Sequence, residues 1–406
     1  MHFRRLVLLC IIVFGSRLSL PAQTTCSGSI TGPNGKQLPA AHAALLTPEE
    51  GTVVQIVAAS PNGEYRLSVP HPGFWLLRCT GVGYAEQRIA LYVPSRAPMK
   101  INVALGCFHY LPDEPSLAIL GDFNLWSVVA AVPLQRDSDG AYRAAITAKK
   151  DSIEFRIRGY RDGDGVEGIK DADFVLNNDG SYNARIRVAG GIGRIVVDPR
   201  LLDRSGSHAQ FTFVDAPERT RKIASAVREW WDGEHNHFSA QADMAMGRAP
   251  LDTPVVEWSS LVASLLRQEN EERDSLVASV LALAHLSTGM NARHRDAASL
   301  TRSLERISPT STVWSLNANA MSVAVRIATW PRARQKAYLE TAIKKHPERA
   351  VRAAVLFSEF QIAFQADNDP NAARYYNLLT GKYADTPQGK RARKEFPRPD
   401  SPPKAR

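Results

Sequence analysis

Two histidines separated by one residue form the densest group of metal-type ligands in the sequence. His235 and His237 are flanked by three acidic residues, Asp232, Glu234 and Asp243. A His-x-His pair with nearby carboxylates can bind zinc, because imidazole and carboxylate are both zinc ligands. The segment is polar and lies between two predicted helices, so we interpret it as a solvated loop. The sequence therefore predicts no metal site here.

Two glycine-containing runs could suggest ion or phosphate binding. Asp162-Gly163-Asp164-Gly165 could begin a calcium loop, but the fifth and twelfth positions of an EF-hand loop would then be Val166 and Asp173. Valine cannot ligate calcium and the twelfth position requires glutamate, so we predict a hairpin turn. Gly190-Gly191-Ile192-Gly193 joins two predicted strands and opens no helix. It is therefore predicted to be a hairpin connection, not a nucleotide-binding loop.

The N-terminal segment has the three regions of a secretory signal peptide. The basic stretch His2-Phe3-Arg4-Arg5 precedes an apolar run of about nine residues, 6–14, and a polar region with Pro21-Ala22-Gln23 follows. Such a run is too short to span a bilayer. We expect residues 1–24 to be the signal, with cleavage between Ala22 and Thr25. The mature protein is expected to be exported, periplasmic or extracellular, and without a transmembrane segment.

Cysteine chemistry is limited. Cys10 leaves with the signal, and Cys26, Cys79 and Cys107 remain, so at most one intrachain disulfide can form and its pairing stays open. There is no Cys-x-x-Cys motif, and no Ser/His/Asp or Cys/His arrangement stands out. The sequence predicts no catalytic residue and no cofactor, and we expect a protein that is not an enzyme.

Composition and periodicity indicate the elements that must position any site. The chain has 406 residues, 44% hydrophobic and 22% charged, which excludes wholesale disorder, a coiled coil and a multi-span membrane protein. Period-two patterns dominate the first half and helical periods follow residue 217. We therefore predict a multidomain fold: antiparallel β-sandwiches over residues 25–106 and 107–216, and an all-α helical-repeat-like domain over residues 217–386.

The first sandwich is predicted from short strands separated by turns at intervals of about 8–12 residues. Its ordered motifs are residues 28–32, 34–41, 62–67, 72–77 and 81–84. Together these motifs resemble the carboxypeptidase regulatory-like domain, a transthyretin-like sandwich. The resemblance implies a non-catalytic module of exported proteins. Trp75 and Tyr84 could form a binding face, but we expect them to pack in its core.

The second sandwich carries a different set of motifs. Gly121-Asp122-Phe123-Asn124 follows an apolar strand, and the run Asn177–Asn183 contains an Asp-Gly turn followed by Ser and Tyr. Their order is similar to the early-set, immunoglobulin-like sandwich of glycogen-binding modules. The resemblance implies that an α-glucan stacks on two tryptophans and is held by a lysine and an asparagine.

The residues matching that site are Trp126, Arg156 in place of the lysine, and Asn183. An aromatic face can cover the apolar face of a sugar, while guanidinium and amide groups satisfy its hydroxyls. The second tryptophan is missing, because residues 164–168 contain no aromatic side chain. The alternative, which we favour, is that Trp126 packs beneath its own hairpin and that the domain is a spacer or docking surface.

Eight stretches of the second half show apolar residues at helical spacing. They are residues 220–231, 254–270, 273–287, 292–306, 312–328, 331–345, 348–365 and 370–380. Residues 331–347 and 372–387 resemble a tetratricopeptide-type array. They also resemble the helical spacer that precedes the thioredoxin domain in some exported thiol-disulfide oxidoreductases.

The excess positive charge is concentrated near the end of the chain. Seven basic and two acidic residues follow Pro387, together with four prolines. We expect residues 387–406 to be a disordered tail that makes loose contact with anionic surfaces. The export signal excludes nucleic acid as a partner.

These features predict an exported, non-enzymatic protein that binds or scaffolds in the cell envelope. Its partner would be an envelope protein or a polysaccharide, and the resemblance of residues 107–216 implies carbohydrate binding. The alternative function is an accessory or truncated form of an envelope thiol-disulfide oxidoreductase that lacks its thioredoxin domain.

Overall fold

The computed structural model describes residues 24–94, 98–110, 116–161, 163–245, 258–292, 295–366 and 370–396. Within these residues the chain forms two β-sandwiches and then a region of α-helices. The predicted multidomain order, β structure followed by α structure, is confirmed. Of the expected signal peptide, only Thr24 is among the described residues.

The first sandwich contains seven consecutive strands of the chain. They are β1 (Thr24–Thr31), β2 (Ala41–Leu46), β3 (Val53–Ala58), β4 (Glu64–Val69), β5 (Gly73–Gly81), β6 (Tyr84–Val93) and β7 (Met99–Ala104). One sheet has the order β3-β2-β5-β6, and the facing sheet contains β4, β1 and β7. The strand pairs of this sandwich are antiparallel, as predicted, with the exception of β1 and β7, which run parallel.

Alternating side chains build the core of this sandwich. In β4, Tyr65, Leu67 and Val69 are buried, while the residues between them are exposed. Trp75 and Tyr84 are buried as expected, and the Tyr84 hydroxyl donates to Asp203 Oδ2 at 2.9 Å. Both residues therefore belong to the core of the first sandwich.

Eight strands form the second sandwich. They are β8 (Ala118–Gly121), β9 (Val132–Pro133), β10 (Gln135–Arg136), β11 (Tyr142–Thr147), β12 (Ser152–Arg158), β13 (Asp173–Leu176), β14 (Tyr182–Ala189) and β15 (Ile192–Val197). Their order is β10-β11-β15-β14-β12-β8-β9, and β13 also pairs with β14. The run after Ala189 is a hairpin connection, as predicted, with Gly190 and Gly191 at φ of 59° and 77°.

A further strand, β16 (Gln210–Asp215), returns to the first sandwich. It pairs antiparallel with β7 and extends the sheet to the order β16-β7-β1-β4. Residues 210–215 therefore belong to the first sandwich, although the sequence-based boundary places them in the second. The second sandwich is thus an insertion between two neighbouring strands of the first.

Polar contacts join the two sandwiches. The Tyr182 hydroxyl lies 2.9 Å from His42 Nδ1 and 3.1 Å from Thr80 Oγ1. The buried Arg78 donates from Nη1 to the backbone oxygen of Asp179 at 3.2 Å. The hairpin that begins β14 is therefore anchored on the first sandwich.

Nine helices follow in the described part of the second half. They are α1 (Glu218–Ala245), α2 (Trp258–Glu271), α3 (Ser275–Met290), α4 (Ala297–Glu305), α5 (Asn319–Ile327), α6 (Arg332–Lys345), α7 (Arg349–Gln365), α8 (Pro370–Thr380) and α9 (Pro387–Glu395). The predicted helix 312–328 is divided, because Asn317 has φ −160° and ψ 71° between the 3₁₀ turn Thr312–Leu316 and α5. Among the described residues no helix is long and apolar enough to cross a membrane.

The prediction of a disordered tail is wrong for residues 387–395, which form α9. The Thr386 hydroxyl caps the helix by accepting from the backbone N–H of Gly389 at 3.1 Å. Ala392 is buried, and Phe396 packs with its ring centroid 5.1 Å from that of Phe360. Burial of the apolar face of α9 therefore offsets the repulsion between its basic residues. Residues 397–406 lie outside the described residues.

The helices cover the outer face of the sheet β3-β2-β5-β6. Leu46 and Phe74 from this face share one buried cluster with Val227, Trp230 and Trp314. The β5 strand is consequently buried along both faces. The helical region and the first sandwich are therefore held together by a common core.

Candidate carbohydrate site

The candidate site lies on the outer face of β12 and β14. In β12, Ile153, Phe155 and Ile157 point into the second sandwich, so Glu154 and Arg156 lie on the opposite face. The register pairs Phe155 with Ala184, which brings Arg156 next to Asn183. The structure thus places two of the sequence-predicted site residues side by side.

A hydrogen-bond network fixes the head group of Arg156. Its Nε donates to Asn183 Oδ1 at 2.8 Å, and its Nη2 donates to Ser181 Oγ at 2.6 Å. Asn177 Nδ2 donates to the same Asn183 oxygen at 3.0 Å. The Arg156 Nη1 group has no hydrogen-bond partner within the described residues and remains available to a ligand.

Asn183 does not have the ligand-binding role that the resemblance to glycogen-binding modules implies. It is only 6% exposed, and its Nδ2 donates to Glu154 Oε2 at 3.1 Å and to Asn177 Oδ1 at 3.2 Å. Its amide is therefore occupied within the protein. Asn183 can orient Arg156, but it cannot donate to a sugar without breaking this network.

An ion pair borders the network. Arg185 Nη2 lies 2.6 Å from Glu154 Oε1, and this contact holds the pKa of Glu154 below its ordinary value. The carboxylate therefore stays ionised at neutral pH and acts as an acceptor for Asn183. Arg185 is thus paired with Glu154, whereas Arg156 faces Trp126.

Trp126 is at the surface, so the favoured prediction that it packs in the core is wrong. Its side chain is 39% exposed, and the guanidinium carbon of Arg156 lies 5.9 Å from the centre of its ring. Leu125 beside it is 88% exposed. The three sequence-predicted site residues, Trp126, Arg156 and Asn183, therefore form one contiguous group.

Backbone conformation explains the exposure of Trp126. Leu125 and Trp126 both adopt the left-handed region, with φ of 55° and 59°, which costs bulky residues about 1–3 kcal/mol each. Asn124 holds the turn, since its Oδ1 accepts from the Gly121 N–H at 2.9 Å and its Nδ2 donates to the Ala130 oxygen at 2.8 Å. The strain is thus maintained by side-chain contacts that project the ring outward.

No second aromatic faces Trp126 from the segment where the resemblance would place one. Gly165 forms a bridge with Ile157, Val166 is buried, and Asp164 pairs with Arg158 at 2.9 Å. The Asp164 carboxylate is thus engaged by a cation, while Asp162 lies outside the described residues. The site is a single-aromatic platform with an arginine beside it.

The interpretation of His235 and His237 as part of a loop is wrong, because both lie in α1. Residues two positions apart on a helix point to different sides, so these rings cannot chelate one ion together. The His237 ring lies 4.4 Å from that of Trp258. Within the described residues no group of three or more His, Cys, Asp or Glu could hold a metal ion.

The three described cysteines are unpaired. Burial raises the pKa of Cys26 to about 12 and raises that of Cys79 as well. Cys107 Sγ lies 3.2 Å from Ser205 Oγ. Because the thiolate is the reactive form, Cys26 and Cys79 are unsuited to nucleophilic chemistry.

Asn177, Ser181 and Glu154 were not singled out from the sequence. Asn177 and Ser181 flank the Asn178-Asp179-Gly180 turn, and the Asn177 N–H donates to the Ser181 oxygen at 2.8 Å. Polar residues on both sides of a tight turn are a usable signal for such a cluster. The position of Glu154 two residues before Arg156 on one strand face is another.

Comparison with known proteins adds little to this geometry. No model of a known protein family matches the chain, and no curated protein matches it. One solved structure, of a proposed carbohydrate-binding protein from Bacteroides uniformis, aligns with 10% sequence identity and a TM-score of 0.19. The alignment covers 44% of this chain and 80% of that chain. A TM-score of this size carries no argument about fold or ligand.

Proposed function

We propose that this protein is an exported, non-enzymatic binding or scaffolding protein of the cell envelope that binds carbohydrate through Trp126 and Arg156. The observation that carries the proposal is the exposure of Trp126 directly beside an arginine that is fixed from below. Asn183 has a positioning role, because it holds the guanidinium and is itself buried. The protein's contribution is recognition, and no bond is made or broken.

The chemistry of the site suits a neutral sugar. The indole face can cover the axial C–H face of a pyranose, and Arg156 Nη1 can donate to one of its hydroxyls. One stacking contact and one donor make a shallow site, so we expect affinity on the order of millimolar, or about −4 kcal/mol. Such a site needs several sugar units or several copies to retain the protein on a polymer.

The domain identities are part of the same proposal. The first sandwich is proposed to be carboxypeptidase regulatory-like, the second to be an early-set module like those that bind glycogen, and the helices to be tetratricopeptide-like. The ordered turn motifs of the two sandwiches support the first two assignments, and the residue order of 331–347 and 372–387 supports the third. The inserted position of the second sandwich supports a role for the first as its rigid mount.

Export is supported by the composition of the N-terminal residues. The basic and apolar regions precede Thr24, and β1 begins at Thr24, close to the expected cleavage point. The partner is proposed to be an envelope polysaccharide or an envelope protein. The basic residues of α9 and those after it could add a loose contact with anionic surfaces.

The experiment is affinity electrophoresis of the mature protein in gels that contain glycogen or maltodextrin. We expect the wild-type protein to be retarded and Trp126→Ala to migrate as it does without polysaccharide. Val129→Ala is the matched control, because Val129 is 99% exposed in the same loop and faces no part of the network. The control should be retarded like the wild type.

Thermal unfolding separates binding from folding in this experiment. Trp126→Ala should melt within about 2 °C of the wild type, because an exposed side chain contributes little to stability. A wild-type protein that is not retarded, or a Trp126→Ala variant that still is, would overturn the proposal.

A further inference from the structure

A cavity of about 500 Å³ lies between α2, α3 and α4 in the helical region. One face of α2 contributes Trp258, Val262 and Leu266 to its wall, and Leu300 of α4 lies among the lining residues. Trp258 is fixed on α3, because its Nε1 donates to the Thr288 oxygen at 2.9 Å. The volume and the apolar lining are those of a small-molecule pocket.

A chain of polar groups behind the cavity sets the state of His285. Arg306 Nε lies 2.8 Å from Glu269 Oε1, and Ser303 Oγ donates to Glu269 Oε2 at 2.6 Å. Because the Ser303 proton is committed to Glu269, its oxygen accepts from His285 Nδ1, which lies 2.8 Å away. His285 is therefore the Nδ1–H tautomer, and its Nε2 carries a lone pair.

The Nε2 atom lies beside the cavity. His285 and Gly289 both line it, and a Cβ added at Gly289 would lie 3.9 Å from Nε2. Within the described residues Nε2 has no hydrogen-bond partner. Burial lowers the pKa of His285 to about 4, so the imidazole is neutral near pH 7 and offers an acceptor.

Ser299 supplies an independent sign of a ligand. It is only 2% exposed, it lines the same cavity, and its hydroxyl oxygen has no hydrogen-bond partner. A buried hydroxyl without a partner costs free energy, so it needs an occupant that can bond to it. Asp296 is the one charged residue of the described lining, and it disfavours an anionic occupant.

This arrangement is not a catalytic triad. Ser303 lies between His285 and Glu269 and is fully buried, so its oxygen can neither be activated by the histidine nor reach a substrate. The chain Arg306–Glu269–Ser303–His285 has the geometry of a fixed acceptor. It orients Nε2 and does no further chemistry.

We propose that this cavity binds a neutral, largely hydrocarbon molecule with one hydroxyl group, which donates to His285 Nε2 and accepts from Ser299. A hydroxyl is the group that satisfies an acceptor and a donor at once. Apart from Ser259 and Asp296, the remaining described lining is apolar and matches an alkyl or terpenoid body. This site is separate from the surface around Trp126 and does not depend on the carbohydrate proposal.

The test uses three probes of equal chain length: 1-decanol, decane and decanoate. Binding to the mature protein is followed by isothermal titration calorimetry and by tryptophan fluorescence. We expect one molecule of 1-decanol to bind per chain. Decanoate should bind at least about tenfold more weakly, because its charge is desolvated beside Asp296.

Two variants locate the ligand and its hydroxyl. Val262→Trp should fill the cavity and abolish binding, whereas Ser260→Trp, at an exposed position of the same helix outside the lining, should not. Ser299→Ala should weaken 1-decanol about fivefold to tenfold and leave decane unchanged. Since the Ser299 oxygen has no partner in the protein, this change should leave folding intact.

The proposal is overturned if 1-decanol does not bind, or if Val262→Trp and Ser260→Trp bind it equally well. Equal weakening of 1-decanol and decane by Ser299→Ala would overturn the assignment of the hydroxyl. Circular dichroism of each variant, compared with that of the wild type, identifies any loss of binding that comes from unfolding.

Discussion

Arg156 and Asn183 lie next to each other on β12 and β14, and the arginine Nε donates to the asparagine Oδ1 at 2.8 Å. The asparagine is buried and the arginine is not, so a fixed amide beneath the surface holds a charged group at the surface. The Trp126 ring lies over this group. Asn183 thus provides rigidity, while the neighbouring Arg156 and Trp126 are placed to contact a ligand.

Asn183→Ala should reduce both stability and ligand binding. It leaves Arg156, Asn177 and Glu154 without one partner each, so we expect the free energy of unfolding to fall by about 1–3 kcal/mol. Urea denaturation measures this fall. Asn178→Ala, in the adjacent exposed turn, is the control and should unfold like the wild type. Equal stability of the two variants would show that the network is not structural.

Sequence periodicity predicts the strands well because burial is decided residue by residue along each strand. The β4 segment Glu64–Val69 alternates in sequence and alternates in burial. The pairing of β16 with β7 could not be predicted, since the contact spans more than a hundred residues and depends on the insertion. Strand identity is local, whereas sheet membership is not.

The sequence predicted which residues form the candidate carbohydrate site, but not that Trp126 is exposed at the surface. The exposure of Trp126 depends on two consecutive left-handed residues, which Asn124 holds in place, and sequence patterns do not reveal such strain. The helical conformation of His235 and His237 was missed because their segment is polar, and α1 continues beyond its apolar part. The polar chain behind His285 was missed because Glu269, His285 and Ser303 lie on three separate helices, and only the packing of those helices brings them together.

Glu49 should make stability depend on pH. It lies in the turn between β2 and β3, both of its carboxylate oxygens are buried without partners, and burial with repulsion from Glu50 and Glu348 raises its pKa to about 8. Burial also raises the pKa of Glu348 to about 7. At these two carboxyl groups the folded state therefore holds more protons than the unfolded state once the pH exceeds about 4.5, so their contribution to stability falls as the pH rises towards 8.

Glu49→Gln replaces the ionising group with a neutral one of similar shape. At pH 8 we expect its free energy of unfolding to exceed that of the wild type by on the order of 2 kcal/mol. At pH 5 we expect the free energies of unfolding of the two proteins to be similar. Urea titrations at the two pH values measure the difference. Glu64→Gln, at an exposed position, should show no such change. A wild-type stability that rises between pH 5 and pH 8, together with no gain in Glu49→Gln, would contradict this assignment.

The cap of α9 can be tested by proteolysis. The potential trypsin sites Lys390, Arg391 and Arg393 lie in this helix, so they should resist cleavage in the folded protein. Thr386→Ala removes the cap and should raise the cleavage rate about fivefold, since an N-cap contributes about 1 kcal/mol. Thr380→Ala, whose hydroxyl bonds within its own helix at 2.9 Å, is the control. Wild-type cleavage as fast as that of the free peptide would mean that the segment does not fold.

The most direct test of the carbohydrate site is a titration with maltoheptaose, followed by the indole N–H signals of the seven tryptophans in an NMR spectrum. The Trp126 signal is assigned by its loss in Trp126→Phe. We predict that this signal and the Nε signal of Arg156 shift together, with a dissociation constant on the order of millimolar, while the buried Trp75 and Trp314 do not respond. A titration that leaves Trp126 unmoved would contradict the account.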